Sequence, residues 1–563
     1  MDKQNIRLIF LFVLFFVGMF LFNAWQEEHS IKQSEQAVEL AAKQSAQAQA
    51  HDLPLMDAAP KTVKKTEANE LPIITGKPKL ETQDASRLVT VVTDTLNLKI
   101  DAMGGDVVEL DLPKYPQTLQ NTNEGFLLFA ENAKRFYVAQ SGLLSDVGPD
   151  SVTNGRALYN FAMQKVVMQP DESVLNVDFN YITSTGAKIV KRFIFERGSY
   201  VVRIQYLIDN KSPHPYQASS FGRLKRRAPT DESSGFFGAM KTYTGAAINT
   251  PETKYKKIPF GDMIDKPYKE DVKGGWAAMV EHYFASAFVP PIDERNYYQT
   301  ESFGDGMFGI RFVSEETTVA PGEQKTIEVK LYAGPEIASH LKQLAPGLEL
   351  TIDYGVLWFL CQPIFWLLKT MFELFKNWGV AIIFTTVIIK GLFYKLSASS
   401  YKSMGNMRKL QPKIEALKKR FGEDKQKFSQ AMMDLYKSEK INPLGGCLPI
   451  VVQIPVFIAL YYVLLECVEL RQAPFMLWIQ DLSAKDPYYV LPVIMGASMF
   501  VQQRLNPTPP DPIQAKVMMF MPLFFTFLFL QFPSGLVLYW VVNNVLSILQ
   551  QWMITRKIER AGK

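Results

Sequence analysis

The feature that most constrains this chain is a series of apolar stretches beyond residue 378, at about 378 to 399, 447 to 466, 488 to 504, 515 to 531 and 535 to 555. Each is near the ~20 residues that carry a helix across a ~30 Å hydrocarbon layer. Backbone N–H and C=O groups in lipid must be bonded within the structure itself, so such stretches dictate helices. A sixth run, Leu8 to Phe22 within the segment Ile6 to Trp25, follows Lys3 and Arg7 and has the charge order of a secretory signal. The segment is long enough to cross, and Phe22-Asn23-Ala24 lacks the small-x-small cleavage pattern, so an uncleaved anchor is expected, with a cleaved signal as the alternative.

Charge fixes the direction of these spans. Lys3 and Arg7 precede the first, whereas Gln26, Glu27 and Glu28 follow it. The loop after the second carries eleven basic residues, Lys409, Lys413, Lys418, Lys419 and Arg420 among them, against five acidic ones. Arg556, Lys557, Arg560 and Lys563 follow the last. All three signals put the N-terminus, the basic loop and the C-terminus in the cytoplasm, and everything between the first two spans outside it. The predicted organisation is an anchor (1–25), a polar tether (26–80), an exported domain (81–345), an interfacial helix (350–377), five core helices (378–555) and a basic tail (556–563).

Residues 26–80, rich in Gln, Ala, Lys, Ser and Thr, offer little apolar area to bury. From about 85 the pattern changes to period two, as in Leu175-Asn176-Val177-Asp178-Phe179-Asn180-Tyr181 and Tyr200 to Tyr206, with turn signals such as Gly104-Gly105 and Asp209-Asn210 between runs. This predicts an antiparallel β-sandwich. The sequence contains no P-loop, nucleophile elbow or dinucleotide fingerprint. Its three cysteines and five histidines form no metal-ligand spacing, so neither a metal nor a cofactor is expected. A net charge of +5 over 563 residues is too mild to argue for nucleic-acid recognition.

Residues 354–377 are apolar, but Gln362, Lys369, Glu373 and Lys376 share one helical face, which predicts an amphipathic helix lying in the interface; a spanning helix would invert the topology downstream. In the basic loop (401–441), Met404, Met407, Leu410, Ile414, Leu417 and Phe421 repeat at three or four residues, Gly422 breaks the run, and Phe428, Met432, Leu435 and Tyr436 resume it. A helical hairpin follows. Its charges serve either as a solvated, topology-setting face or as a docking surface.

Lys390 is the residue that asks for a function. It stands about twelve residues, or ~18 Å of helix, after Trp378, near mid-membrane. A lysine there costs ~2.5–3.5 kcal/mol on insertion scales, which its apolar neighbours offset while leaving the ammonium in need of water or a partner. Snorkelling is one reading. The other is a hydrated groove, because Thr385, Thr386, Gln453, Gln502, Gln503, Asn543, Asn544 and Ser547 add polar groups from several spans between mid-membrane and the cytoplasmic side, and no Asp or Glu lies deep enough to neutralise the lysine. Such a groove, closed outside by Trp378 and the interfacial helix, lowers the cost of moving a short polar segment partway across.

At these residues the chain resembles the YidC insertases. The stretches NWGVAIIFTTVIIKGLFY, LQPKIEALKKRFG, INPLGGCLPIVVQIPVFIALYY, ELRQAPFMLWIQDLSAKDPYYVLP and FPSGLVLYWVVNN carry the resemblance across most of 350–555, and YTGAAINTPETKYKKI and GGWAAMVEHYFASAFVP extend it into the exported domain. The resemblance implies a β-supersandwich periplasmic domain, an α-helical polytopic insertase core, and a non-enzymatic chaperone of a bacterial inner membrane. It implies as partners nascent membrane proteins, the Sec translocon, ribosome and signal-recognition machinery, and lipid. It also implies that Lys390, Thr386, Gln453 and Trp540 line the substrate groove, to which the polar reading above adds Asn543 and Asn544. The family usually has Arg where this chain has Lys390; lysine keeps the charge and loses the planar fork. A secondary transporter would require inverted repeats or paired broken spans, and a sugar-processing enzyme a defensible carboxylate pair; the sequence displays neither.

Overall fold

The computed structural model describes residues 85–132, 135–151, 155–229, 242–421, 424–439, 448–506 and 512–561. The expected anchor and tether, and Gly422, lie outside them. The described residues form two compact units, divided in sequence after Thr351.

The first unit is built from alternation. The run at Leu175 lies in the strand Val174–Ile182 and the run at Tyr200 in the strand Val201–Asp209, where buried and half-buried residues alternate without a break. Both belong to a nine-stranded sheet, and a thirteen-stranded sheet supplies the other layer. Pairing among the described strands is antiparallel apart from Leu88–Val92 beside Lys165–Val167 and one contact of Leu144 with Asp150. The two layers meet tightly at Gly222, where a Cβ would come within 2.6–2.7 Å of the rings of Phe312 and Phe288, one from each sheet. Each such ring or aliphatic side chain withdrawn from water contributes about 1.5–3 kcal/mol. Two short helices, α1 (Phe260–Asp265) and α2 (Ala338–Leu344), accompany the strands.

A buried ion cluster also joins the layers. Lys191, on the nine-stranded sheet, is fully buried and donates to the carbonyls of Gly104 (2.9 Å), Gly105 (2.8 Å) and Ser141 (2.7 Å) on the other layer. Beside it Arg156 pairs with Asp106 and, at 3.0 Å, with Asp150. Asp150 Oδ2 accepts from the Leu143 N–H (2.9 Å) and Asp106 Oδ2 from Gln140 Nε2 (3.0 Å). Two cations thus face two carboxylates, the condition under which burying charge is tolerable.

The second unit is helical. It comprises α3 (Trp358–Phe375), α4 (Trp378–Leu392), α5 (Tyr394–Lys409), α6 (Gln411–Phe421), α7 (Lys425–Ser438), α8 (Leu448–Glu466), α9 (Val490–Leu505), α10 (Pro512–Phe529) and α11 (Ser534–Ala561). Helix α3 buries Cys361, Ile364 and Leu368, and Gln362, Lys369 and Glu373 are exposed. Trp358, Phe359, Trp366 and Leu374 are exposed as well, so its outer surface mixes charge with large apolar side chains. The helix stops at Lys376, which adopts φ 53°, and Asn377 then caps α4 by accepting from the Val380 N–H at 3.0 Å.

Two helices depart from expectation. The span anticipated over 378–399 is not one helix: α4 ends after Lys390-Gly391-Leu392 and α5 leaves at a bend of 69°. Gly391 sits at the break, and glycine costs about 1 kcal/mol relative to alanine inside a helix. The run expected from Met404 to Phe421 breaks at Leu410, because Pro412 lacks an N–H and its ring would clash with the carbonyl four residues earlier. Among the described residues no single helix is long and apolar enough to cross a membrane, whereas α4 and α5 together are. Helix α4 alone, at 15 residues, rises only ~22 Å.

Candidate functional site

The ammonium of Lys390 is the centre of the helical unit's polar interior. On α4, Thr386 and Lys390 lie one turn apart, and both are buried. Thr386 turns its hydroxyl back to the Ile382 carbonyl (2.7 Å), which satisfies it within the helix. Lys390 is 9 % exposed; its Nζ donates to Ser547 Oγ at 2.8 Å and to Gln453 Oε1 at 3.4 Å. Gln453 Nε2 donates onward to Ser397 Oγ (3.4 Å), and Ser547 Oγ to the Asn543 carbonyl (2.7 Å). Lys390 of α4 is thus bonded to α8 and α11, with α5 joined through Gln453, and its hydrogen-bond partners among the described residues are neutral.

A small cavity adjoins the ammonium, bounded by Thr386, Ile389, Lys390, Phe393, Gln453, Val456, Tyr539 and Asn543. Its free space is about 10 Å³, room for about one water. Its wall mixes polar groups (Thr386, Lys390, Gln453 and Asn543) with the apolar Ile389, Phe393 and Val456.

Of the residues expected at this site, Lys390, Thr386, Gln453 and Asn543 come together. Asn544 and Trp540 do not. On α11, Tyr539, Asn543 and Ser547 follow at intervals of four and share the face toward Lys390, whereas Asn544 is rotated about 100° onward and donates to Ser498 Oγ of α9 at 3.0 Å. Trp540 packs among Phe457, Phe525 and Phe529, with ring centroids 4.6, 6.4 and 5.1 Å away, and its buried Nε1 has no hydrogen-bond partner among the described residues. Tyr539, Ser397 and Phe393 belong to the site and were missed. The i, i+4, i+8 spacing of Tyr539 with Asn543 and Ser547 was the available signal for the first; the other two depend on the bend after Leu392.

The end of α4 away from Lys390 is sealed. Trp378 stacks on Phe372 (4.1 Å), and Gly379 leaves room for Phe475, whose ring carbons would lie 2.0 and 2.4 Å from any Cβ there. Asn377 Nδ2 donates to the Phe475 carbonyl (2.9 Å). The segment holding Phe475 is itself fixed by Asp486, buried, which accepts from Trp478 Nε1 (3.0 Å) and from the N–H groups of Tyr488 (3.0 Å) and Leu491 (2.7 Å). Leu482 and Ala484 in turn accept from the backbone at the start of α11. This loop closes that end of the site together with Trp378; the sequence pattern points to Trp378 and α3 and carries no sign of the loop.

In the basic hairpin, α6 packs against α7, and Lys413 reaches Glu439 at 2.6 Å, joining the start of one helix to the end of the other. Lys409, Lys413, Lys418, Lys419 and Arg420 are all exposed.

Comparison with known proteins extends over both units. A family model described as "60Kd inner membrane protein" matches residues 370–561, and one described as "YidC periplasmic domain" matches residues 88–367. The chain is 54% identical over 474 residues to a "Membrane protein insertase YidC" of Pseudomonas fluorescens, covering 84% of both chains. It is 52% identical over 479 residues to one of Stutzerimonas stutzeri, covering 85% of this chain and 86% of that one. Among solved structures, "Active YidC insertase crystal structure with the first transmembrane domain resolved" covers 82% of this chain and 92% of its own at 19% identity and a TM-score of 0.37.

Proposed function

Since the chain belongs to the YidC family of inner-membrane protein insertases, with a periplasmic domain and nascent membrane proteins as its substrates, we propose that its work on those substrates is done at Lys390. The observation that carries this reading is the uncompensated charge: a buried ammonium whose hydrogen-bond partners are a serine hydroxyl and a glutamine carbonyl, with no ion pair to any described residue. An acidic or carbonyl-bearing segment of a client replaces Ser547 and Gln453 as the partner of Lys390. It gains a charge-assisted hydrogen bond where lipid would offer it none. Thr386 and Asn543 supply the neighbouring polar wall, and the seal at Trp378 and Phe475 halts the segment partway. The exposed Phe384, Val387, Ile388 and Leu392 on α4 give the client's apolar residues a route into lipid. Trp540 contributes packing rather than a polar contact.

The topology we infer has both termini and the hairpin in the cytoplasm and the β-sandwich outside it, in agreement with the charge asymmetry of the sequence. The exposed Lys409, Lys413, Lys418, Lys419 and Arg420 then face the ribosome, the signal-recognition machinery and the cytoplasmic surface of the Sec translocon, as well as anionic headgroups. A photoreactive residue in place of Gln453 tests the central claim. It is expected to crosslink stalled nascent membrane proteins in ribosome-bound complexes, and capture of small solutes without nascent chains would sink it.

A further inference from the structure

The β-sandwich unit holds a second cavity, larger and chemically different from the one at Lys390. It measures about 440 Å³, within the ~300–1,000 Å³ of ligand pockets. Trp276, Pro291, Ile292 and Leu344 supply its apolar lining, and Glu328 and Lys330 its charges. The shape is fixed by local chemistry. Trp276 is buried and its Nε1 donates to the Pro346 carbonyl at 3.0 Å, which ties the segment after α2 to the sheet. Gly275, at φ 91°, keeps the backbone bare where a Cβ would meet the Asn249 carbonyl at 2.8 Å. Ile292 is 60% exposed at the rim, an apolar side chain offered to solvent.

The two charges are not equivalent. Glu328 accepts from Gln205 Nε2 at 2.6 Å and lies 3.8 Å from Arg203 Nη1, so its charge is engaged. The side chain of Lys330, two residues along the same strand and on the same face, makes no hydrogen bond or ion pair with any described residue. An apolar cleft with an unmatched cation at its wall selects a ligand with an aromatic or aliphatic body and a carboxylate. We propose that this cleft binds the exported flank of a client span, an aromatic residue seated against Trp276 and the prolines with an acidic residue held by Lys330. The inference rests on the insertase reading for its source of ligand. Exported flanks of membrane spans carry Trp and Tyr at the interface and are depleted in Lys and Arg, so they present the aromatic group this cleft accepts and few cations that Lys330 would repel.

The test uses the full chain in lipid nanodiscs and a capped peptide with a tryptophan followed by two glutamates, titrated by fluorescence anisotropy. Saturable binding is expected, weakened about fivefold both by Lys330→Gln and by exchanging the glutamates for glutamine, as for an ion pair of ~1 kcal/mol. Combining the two changes should cost no more than either alone, Lys330→Arg should retain affinity, and Ile292→Ser should lower it. Lys390→Ala should leave peptide affinity unchanged, which separates this site from the groove: normal insertion by Lys390→Ala would remove the groove reading and leave this one standing. Absence of saturable binding, equal affinity in Lys330→Gln, or binding of palmitate in place of the peptide would each overturn the proposal.

Discussion

Two buried lysines define the two units of this molecule, and they are buried on opposite terms. Lys191, inside the β-sandwich, spends its three protons on three backbone carbonyls and shares its cluster with Arg156, Asp106 and Asp150, so that local charge cancels. Lys390, inside the helical unit, has two neutral partners and no anion among the described residues paired with it. Burial therefore does not by itself mark a functional cation. A balanced cluster answers charge with charge and welds two sheets, whereas an unbalanced one keeps an electrostatic demand that only an incoming group can meet.

The sharpest way to break this comparison is one substitution made twice. Lys191→Met would strip the Gly105 carbonyl of its donor, leave the carbonyls of Gly104 and Ser141 to Arg156 alone (3.1 Å each), and leave two carboxylates to a single guanidinium. The expected loss is ~3–5 kcal/mol of domain stability, the penalty for removing one partner from a buried ionic set. Urea titration followed by proteolysis of the sandwich measures it, and a loss below ~1 kcal/mol would mean that the cluster is not a weld.

Lys390→Met is expected to do the reverse. Ser547 still donates to the Asn543 carbonyl and Gln453 to Ser397, so few buried groups lose a partner and stability should change by less than ~1 kcal/mol. Insertion of a client with an acidic translocated segment should fall about tenfold, equivalent to ~1.4 kcal/mol of lost interaction. Unchanged insertion would reduce Lys390 to a snorkelling side chain.

The sequence revealed these two lysines unequally, for physical reasons. Lys390 stood out because a cation amid Ile, Val, Phe and Leu has a known cost in lipid. Lys191 did not: it shares a strand face with Ile189 and Phe193, but Lys188, Lys191 and Arg192 put basic residues on both faces of the run, and its burial depends on Gly104 and Gly105, nearly ninety residues earlier, turning their carbonyls toward it. Period-two runs gave strands with correct faces because burial of one face dictates register. Sheet membership was beyond reach, since it depends on pairings such as Val201–Asp209 with Gln324–Pro335 that no local pattern encodes. Within the helical unit, spacing placed Asn543 and Asn544 side by side, but adjacent residues on a helix face different neighbours. Only the packing of α9 and α10 around α11 decided which asparagine meets Lys390 and that Trp540 turns to the phenylalanines.

The smallest expected effect concerns pH and sharpens the comparison from the sandwich side. Burial raises the Asp150 carboxyl to about 6, from 3.8, and lowers the Lys191 ammonium to about 7, from 10.5. The fold thus prefers the neutral acid, a preference that supports stability below about pH 4 and is lost as pH rises through 6. It also prefers the neutral amine, a contribution absent below pH 7 and recovered as pH rises toward 10. Tyr159 and Tyr206 beside them are held protonated by burial and take no part in this window. The urea midpoint of the sandwich should therefore pass through a shallow minimum between about pH 6 and 7 and climb on the alkaline side. Comparing the native chain with Lys191→Met isolates the climb, since methionine cannot titrate and the alkaline rise should flatten. An equal rise in both proteins would place the titration elsewhere in the sandwich and leave Lys191 charged throughout, with its clamp closed at every pH the domain meets.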